Sequence, residues 1–387
     1  MTAPSPPQVF YGARLFDGEA TREDCALIVA DGEIRALTPV AERPRDGEQI
    51  DLGGGTLAPG FVDWQVNGGG GVLFNAVPTP EAIAAIAAAH RREGVTAILP
   101  TVITVAPEIL AAALSAAAEA VKRDCGALGI HVEGPFIDAR RKGAHLAEFI
   151  RPMREKDAER LIAAKAGAMV VTLAPVAAGV ERIARLASAG VIVSLGHAEA
   201  TAEEARAAFA AGAVAVTHLF NAMSQFGSRA PGLVGAALAE PGVVCGLVAD
   251  GCHVHDVAMR AAFNAKGPGG IALVSDAMPP AAGGPSAFAL QGRRVVRTGG
   301  RLVADDGALA GTAITILDAV RHVARALGLP LADALRMATS TPARLLKLDG
   351  RLGRLAPGLR ADLVHLSDDL ALAGVWRGGR REEGGER

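Results

Sequence analysis

The chain has 387 residues, 50% of them hydrophobic and 21% charged, which is globular composition with enough core material for one large domain and a smaller module. Its 39 Lys+Arg against 41 Asp+Glu leave a formal net charge of −2. There is no basic excess pointing to nucleic acid or an anionic membrane, and an anionic substrate must be held by local groups.

Cys25, Cys125, Cys245 and Cys252 show no CxxC and no regular spacing, which reads as free thiols in a reducing compartment. The opening MTAPSPPQVF lacks the basic flank and apolar core of a signal peptide, and no apolar run reaches spanning length, so the expected location is the cytoplasm. From about residue 8 to 52 the chain reads as short strands broken by turns, with ADG at 30–32 as a hairpin turn. Next comes a strand–loop–helix rhythm, with expected strands at 57–63, 95–99, 128–132, 169–175, 191–195, 214–217, 243–249 and 271–275. Short Val/Ile/Leu-rich runs of this kind suit strands buried on both faces of a parallel sheet. The segments between them are Ala-rich and helical, as in PEAIAAIAAAHRREG, where Pro80 and Gly94 mark the two ends. The expected fold class is α/β, a (β/α)8 TIM-like barrel. After Asp276 a long turn-rich, β-like stretch precedes a helix at 312–327, and a loop of that size at a barrel mouth usually lines or covers a ligand site. A second β-rich stretch, from GRLAPGLRADLVHLS to VWRGGR, ends the chain before a disordered REEGGER tail. The division expected is a barrel at 56–344 and a discontinuous small β-sandwich domain built from 1–55 and 345–387.

Polar residues at the C-terminal ends of the strands carry the chemistry, because a barrel brings all those ends to one face. Glu133, His197 and His218 follow apolar strands, and two imidazoles with one carboxylate suit a divalent metal with a coordination position left for water. Read singly, Glu133 is better explained by a salt bridge to a neighbouring Lys or Arg and each histidine by a hydrogen-bonded core position; it is the set of three that points to a metal. Zinc is the first expectation for the metal; iron, manganese and cobalt also fit such donors. Asp276 adds a carboxylate not needed as a ligand and free for acid/base work. Barrel metal hydrolases often carry His-x-His at the end of the first strand. Here Gln65 and Asn67 stand there, and neutral amides are poor ligands, so one metal is expected. His145, Asn221, Arg229, Asp250 and His253 belong to the same face, and Arg with His makes a sensible phosphate pair. His131 reads as a polar core residue, His255 as a helix start, and His90, His322 and His365 as solvated.

Taken together, LAPGFVDWQVNG, GIHVEGPF, KGAH, SLGHAEAT, THLFNAMS, ADGCHV, LVSDAM, GALAGTA and TPARLLKL…GRLAPGLRADLV are in family order, and the chain resembles the N-acetylglucosamine-6-phosphate deacetylases of the amidohydrolase superfamily. The resemblance implies metal-dependent deacetylation of N-acetyl-D-glucosamine 6-phosphate, with Glu133, His197 and His218 holding one divalent ion per subunit. It makes Asp276 the acid/base, with His145 polarising the acetamide carbonyl. It further implies that Ala144, Asn221, Ala222, Arg229, His253 and the Leu309-Ala310-Gly311 turn contact the sugar phosphate. Arg229 and His253 would come from the partner subunit of a homodimer. Leu146-Ala147 stand where relatives commonly have Asn-Pro, and Ala230 replaces the acidic residue usual after the arginine; both bear on loop geometry and sugar preference. The alternatives are the same chemistry on N-acetylgalactosamine 6-phosphate, and a catalytically inactive relative that binds a sugar phosphate.

Overall fold

The computed structural model describes residues 6–305 and 307–382, so most of the tail expected to be disordered lies outside the described residues. Eight parallel strands form the central sheet: β1 (Phe61–Val66), β2 (Val95–Ile103), β3 (Gly129–Glu133), β4 (Ala168–Leu173), β5 (Ile192–Leu195), β6 (Ala213–Val216), β7 (Val244–Leu247) and β8 (Ile271–Leu273). They lie side by side in chain order. A parallel bridge between Val66 and Ala277 closes the ring from β1 to β8. Asp63 reinforces the closure, accepting from the Ser275 amide at 3.3 Å and from the Ser275 hydroxyl.

Both faces of the strands are covered, which is why they read as unbroken apolar runs. Val62, Trp64, Ala97, Leu99, Val170, Ile192 and Ala215 form the barrel interior. Phe61, Ile98, Ile130, Val171 and Val193 meet the surrounding helices in the larger core. Beneath the mouth the interior turns polar. The His131 Nε2 is 2.7 Å from the Thr172 hydroxyl, which is 2.6 Å from the Thr217 hydroxyl, itself 2.6 Å from that of Ser194. His131 is thus a satisfied core residue, and burial pushes its pKa down to about 4.

The expected first strand, 57–63, divides in two. Thr56–Pro59 leaves the barrel and pairs with Arg14–Phe16 on one side and Leu363–Leu366 on the other. The break falls at Gly60, where a Cβ would lie 2.2 Å from the Thr96 hydroxyl. Segments from both ends of the chain therefore share a six-stranded sheet, and a four-stranded sheet of Gln8–Tyr11, Cys25–Ala30, Glu33–Pro39 and Glu48–Asp51 accompanies it. The stretch after Asp276 forms a three-stranded antiparallel sheet of Ala287–Leu290, Arg293–Thr298 and Arg301–Ala304. The helix expected at 312–327 starts at Ile316, capped by Thr315, and widens into a π-helical turn over His322–Ala326. No helix among the described residues is long and apolar enough to cross a membrane.

Two of the three histidines expected to be solvated are buried. His90 lies on the inner face of the helix Pro80–Arg91 with its Nε2 2.9 Å from the Gly68 carbonyl, and the His365 Nε2 is 2.8 Å from that of Gly54. His322 is half-buried, with its Nε2 2.9 Å from Asp256, and His255 caps the helix Asp256–Lys266 as expected.

Candidate active site

Glu133 is the last residue of β3, while His197 and His218 each lie two residues beyond the ends of β5 and β6. The chain turns sharply at these points. His197, His218 and Asp276 all hold positive φ (48°, 34° and 50°), a region non-glycine residues seldom occupy and one that concentrates at functional sites. The turn directs the side chains across the barrel mouth instead of along the strand.

Glu133 Oε1 is 3.0 Å from His197 Nε2 and 2.9 Å from His218 Nε2, and the two Nε2 atoms are 3.0 Å apart. All three side chains are buried. Burial alone would raise the Glu133 pKa, but the hydrogen bonds and charge of the two histidines hold it well below the ordinary carboxylate range. His197 Nδ1 is 2.8 Å from the Arg141 carbonyl, an acceptor, so Nδ1 carries a proton and Nε2 is the atom that can offer a lone pair to a cation at the centre. Three donor atoms within 4.8 Å of one another, two nitrogens and a carboxylate oxygen, fit a divalent cation, which would take the place of the protons that otherwise lie between Glu133 and the two rings.

Asp276 is held by the residues that stand in for the His-x-His pair. Gln65 Nε2 and Asn67 Nδ2 both donate to its Oδ1, at 3.2 and 2.7 Å, and Gln65 Nε2 also lies 3.4 Å from Glu133 Oε2. Among the described residues nothing bonds Asp276 Oδ2, which is left for the cavity. Burial first, and then the charge of Glu133, push the Asp276 pKa up to about 7. The sequence identified Gln65 and Asn67 only as missing ligands; their bond to Asp276 depends on the β1–β8 closure.

His145 comes from the loop after β3. Its Nδ1 is 2.7 Å from the Thr104 hydroxyl and accepts from the Thr104 amide at 3.4 Å. An accepting Nδ1 leaves the proton on Nε2. Burial above all, and the positive character of His197 next, keep the pKa of this ring well below that of an ordinary histidine, so it stays a neutral N–H donor.

These groups share one cavity of about 430 Å³ at the barrel mouth. Ala144, Asn221, Ala222, His253, Leu309 and Gly311 line it as well, together with Arg140 and Arg141, which the sequence did not single out. His253, expected from a partner subunit, lines this chain's own cavity: the loop after β7 carries it there, and Asp250 fixes its Nδ1 at 2.7 Å. Two of the residues named from the sequence lie outside this cavity. Arg229 is exposed on its loop outside this cavity, and the Ala310 side chain packs into the small apolar cluster under the three-stranded sheet.

A (β/α)8 barrel that gathers a carboxylate, two imidazoles and a further buried carboxyl at its mouth has the architecture of a metal-dependent hydrolase. The model of the Amidohydrolase family matches residues 56–381, and the chain belongs to that family. It is 42% identical to the N-acetylgalactosamine-6-phosphate deacetylase of Shewanella sp. (strain ANA-3), over 95% of this chain and 94% of that one. It is 33% identical to the N-acetylglucosamine-6-phosphate deacetylase of Haemophilus influenzae, over 93% and 95%. The crystal structure of N-acetylglucosamine-6-phosphate deacetylase from Pasteurella multocida superposes with a TM-score of 0.94 at 32% identity, covering 97% of this chain and 99% of that one.

Proposed function

We propose that the protein removes the acetyl group of an N-acetylhexosamine 6-phosphate, N-acetyl-D-glucosamine 6-phosphate giving D-glucosamine 6-phosphate and acetate. The observation that carries this reading is the convergence, in one cavity of a chain with deacetylase relatives over nearly its whole length, of a metal-donor triad, a carboxyl with one free oxygen, and a neutral imidazole N–H donor.

One divalent cation held by Glu133, His197 and His218, zinc in the first instance, would polarise the acetamide carbonyl and acidify the attacking water. Asp276 Oδ2 takes the proton of that water. His145 Nε2–H donates to the carbonyl oxygen as negative charge grows on it, a contribution of about 3 kcal/mol for one well-placed donor. Asp276 then gives its proton to the departing amine, which cannot leave as an anion. Gln65 and Asn67 anchor Oδ1 throughout, so Oδ2 alone faces the reacting atoms. The sugar phosphate lies against Ala144, Asn221, Ala222, His253 and the 309–311 turn. Arg229, exposed and outside this chain's cavity, serves the site of a second copy in a homodimer. The free thiols suit a cytoplasmic enzyme.

A second reading, the galactosamine epimer as preferred substrate, is favoured by the name of the relative at 42% identity. Acetate release from both N-acetylhexosamine 6-phosphates, with and without a chelator, tests the whole reading, and the ratio of kcat/KM values decides between the epimers. Chelator-resistant release, or none from either sugar with the cation supplied, would overturn it.

A further inference from the structure

The three-stranded sheet after Asp276 lies over the cavity without supplying any of its lining from the turn between its first two strands. Leu290, Val295 and Leu302 pack its apolar face on Ile103 and Met278, two residues that do line the cavity. Leu290 pairs with Arg293, so Gln291 and Gly292 form a two-residue hairpin loop, with φ of 49° and 81°. Positive φ at both positions is a type I′ turn, which favours Asn or Gly at the first of them. A glutamine there costs conformational energy that a better turn residue would avoid, and such outliers gather where a side chain is needed.

Both residues flanking that glycine reach the supports of His145. Gln291 Nε2 donates to the Thr104 carbonyl at 2.6 Å. Thr104 is the residue whose amide and hydroxyl meet His145 Nδ1. Arg293 donates through its guanidinium to the carbonyl of Ala144, the residue before His145. The two segments that fix the ring, one following β2 and one following β3, are thus tied to the same hairpin.

We propose that Gln291 and Arg293 are positioning residues for the reaction: the hairpin clamps Thr104 and Ala144 so that the His145 ring presents Nε2–H to the substrate carbonyl. This rests on the deacetylase reading of the site. Neither residue lines the cavity, so each acts through the segment it holds, Gln291 through Thr104 and Arg293 through Ala144, on either side of the His145 ring. A misplaced group costs far more in rate than in binding, because a displacement of about 1 Å can lower turnover by as much as ~100-fold.

The test is a double-mutant cycle. Gln291→Asn suits the turn better but is one methylene too short for Thr104, and Arg293→Ala releases Ala144. Each should lower kcat by about tenfold or more with KM little changed, while the unfolding temperature of Gln291→Asn stays at or above that of the parent. Arg293→Lys, which keeps a donor, should recover part of the loss. In a His145→Ala background neither substitution should lower kcat further. Equal losses in both backgrounds, or a rise in KM with kcat intact, would overturn the proposal. A readout independent of turnover is the ¹⁵N spectrum of the His145 ring: a single Nε2–H tautomer in the parent and a mixed one in Gln291→Asn and Arg293→Ala. An unchanged ring spectrum also overturns the clamp, whereas a protein that deacetylates neither sugar overturns the functional reading and leaves the spectrum to decide this one.

Discussion

Replacing Asp276 by Asn separates chemistry from folding at this site. The side chain keeps its shape, and its carbonyl oxygen can still accept from Gln65 and Asn67 at the distances of 3.2 and 2.7 Å seen for Oδ1. What changes is the other atom, which becomes an NH2 that cannot take a proton from water. A positioned acid/base contributes about 10²- to 10⁴-fold, and Asp276 serves first as base and then as acid, so kcat should fall toward the upper part of that range. Stability should move the other way. Burial and the Glu133 charge raise this carboxyl from 3.8 to about 7. A raised carboxyl stabilises the fold fully below its unfolded pKa, and that contribution is lost as pH rises through the folded value. Ionising it in place therefore costs up to about 4 kcal/mol above pH ~7, and the neutral Asn escapes this cost. In chelator, the variant should match the parent near pH 4, gain on it as pH rises, and unfold at clearly higher temperature above pH ~7. With a divalent ion present the gain should shrink, because the cation offsets the same charge. Acetate release and thermal unfolding across pH are the assays. Turnover within a few-fold of the parent would refute the acid/base role, and a variant less stable than the parent in chelator at pH 8 would refute the electrostatic reasoning.

The Asp276 base must be ionised to work, and a bound cation lowers its pKa from the value set by the protein alone. kcat/KM should therefore decline as pH falls, with a midpoint between 3.8 and about 7, and this limb should vanish in Asp276→Asn. Loss of the one neutral donor in His145→Ala should lower kcat by about 10²- to 10³-fold with metal content unchanged, checked by turnover and elemental analysis. Titrating chelated protein with zinc should reach full activity at one equivalent per chain. A second equivalent of similar affinity would contradict the amide reading of Gln65 and Asn67. Burial pushes the Cys245 thiol up to about 12, so thiol reagents should leave it unmodified until the protein unfolds, as mass spectrometry of labelled protein will show.

The barrel was legible because strands buried on both faces leave contiguous apolar runs, and the metal triad because each donor stands just past such a run. The split of the first strand was not, since Thr56–Pro59 and Phe61–Val66 are both fully buried, and the break between them is marked only by Gly60, whose close approach to Thr96 leaves no room for a Cβ. The burial of His90 does carry a signal in the sequence: Ile83, Ile86, Ala87 and His90 follow the spacing of a helix's buried face. His365 offered no comparable clue, because its partner carbonyl, that of Gly54, is brought to it by pairing between the two ends of the chain. Gln65 and Asn67 were identified by what they lack. Their service to Asp276 exists only once β1 closes on β8, a contact spanning more than two hundred residues of sequence.

Charge arithmetic explains why these substitutions belong together. Glu133 and Asp276 bring two negative charges when both are ionised, and their pKa values are driven in opposite directions, Asp276 up by burial first and then by Glu133, and Glu133 down by its two histidines against burial, the pattern that divides a ligand from an acid/base. One divalent cation balances the pair, with His145 neutral. When Asp276 accepts the proton of water, the charge it loses reappears on the attacking oxygen, so the buried site remains balanced through the step. A second cation would need further anionic ligands, and the first-strand positions offer amides. Those amides instead donate to Asp276 Oδ1, and the carbonyl activation a second ion could provide is left to a neutral imidazole N–H. Gln65→His with Asn67→His, without other changes, would thus remove both anchors of the acid/base and leave any added ion short of counter-charge.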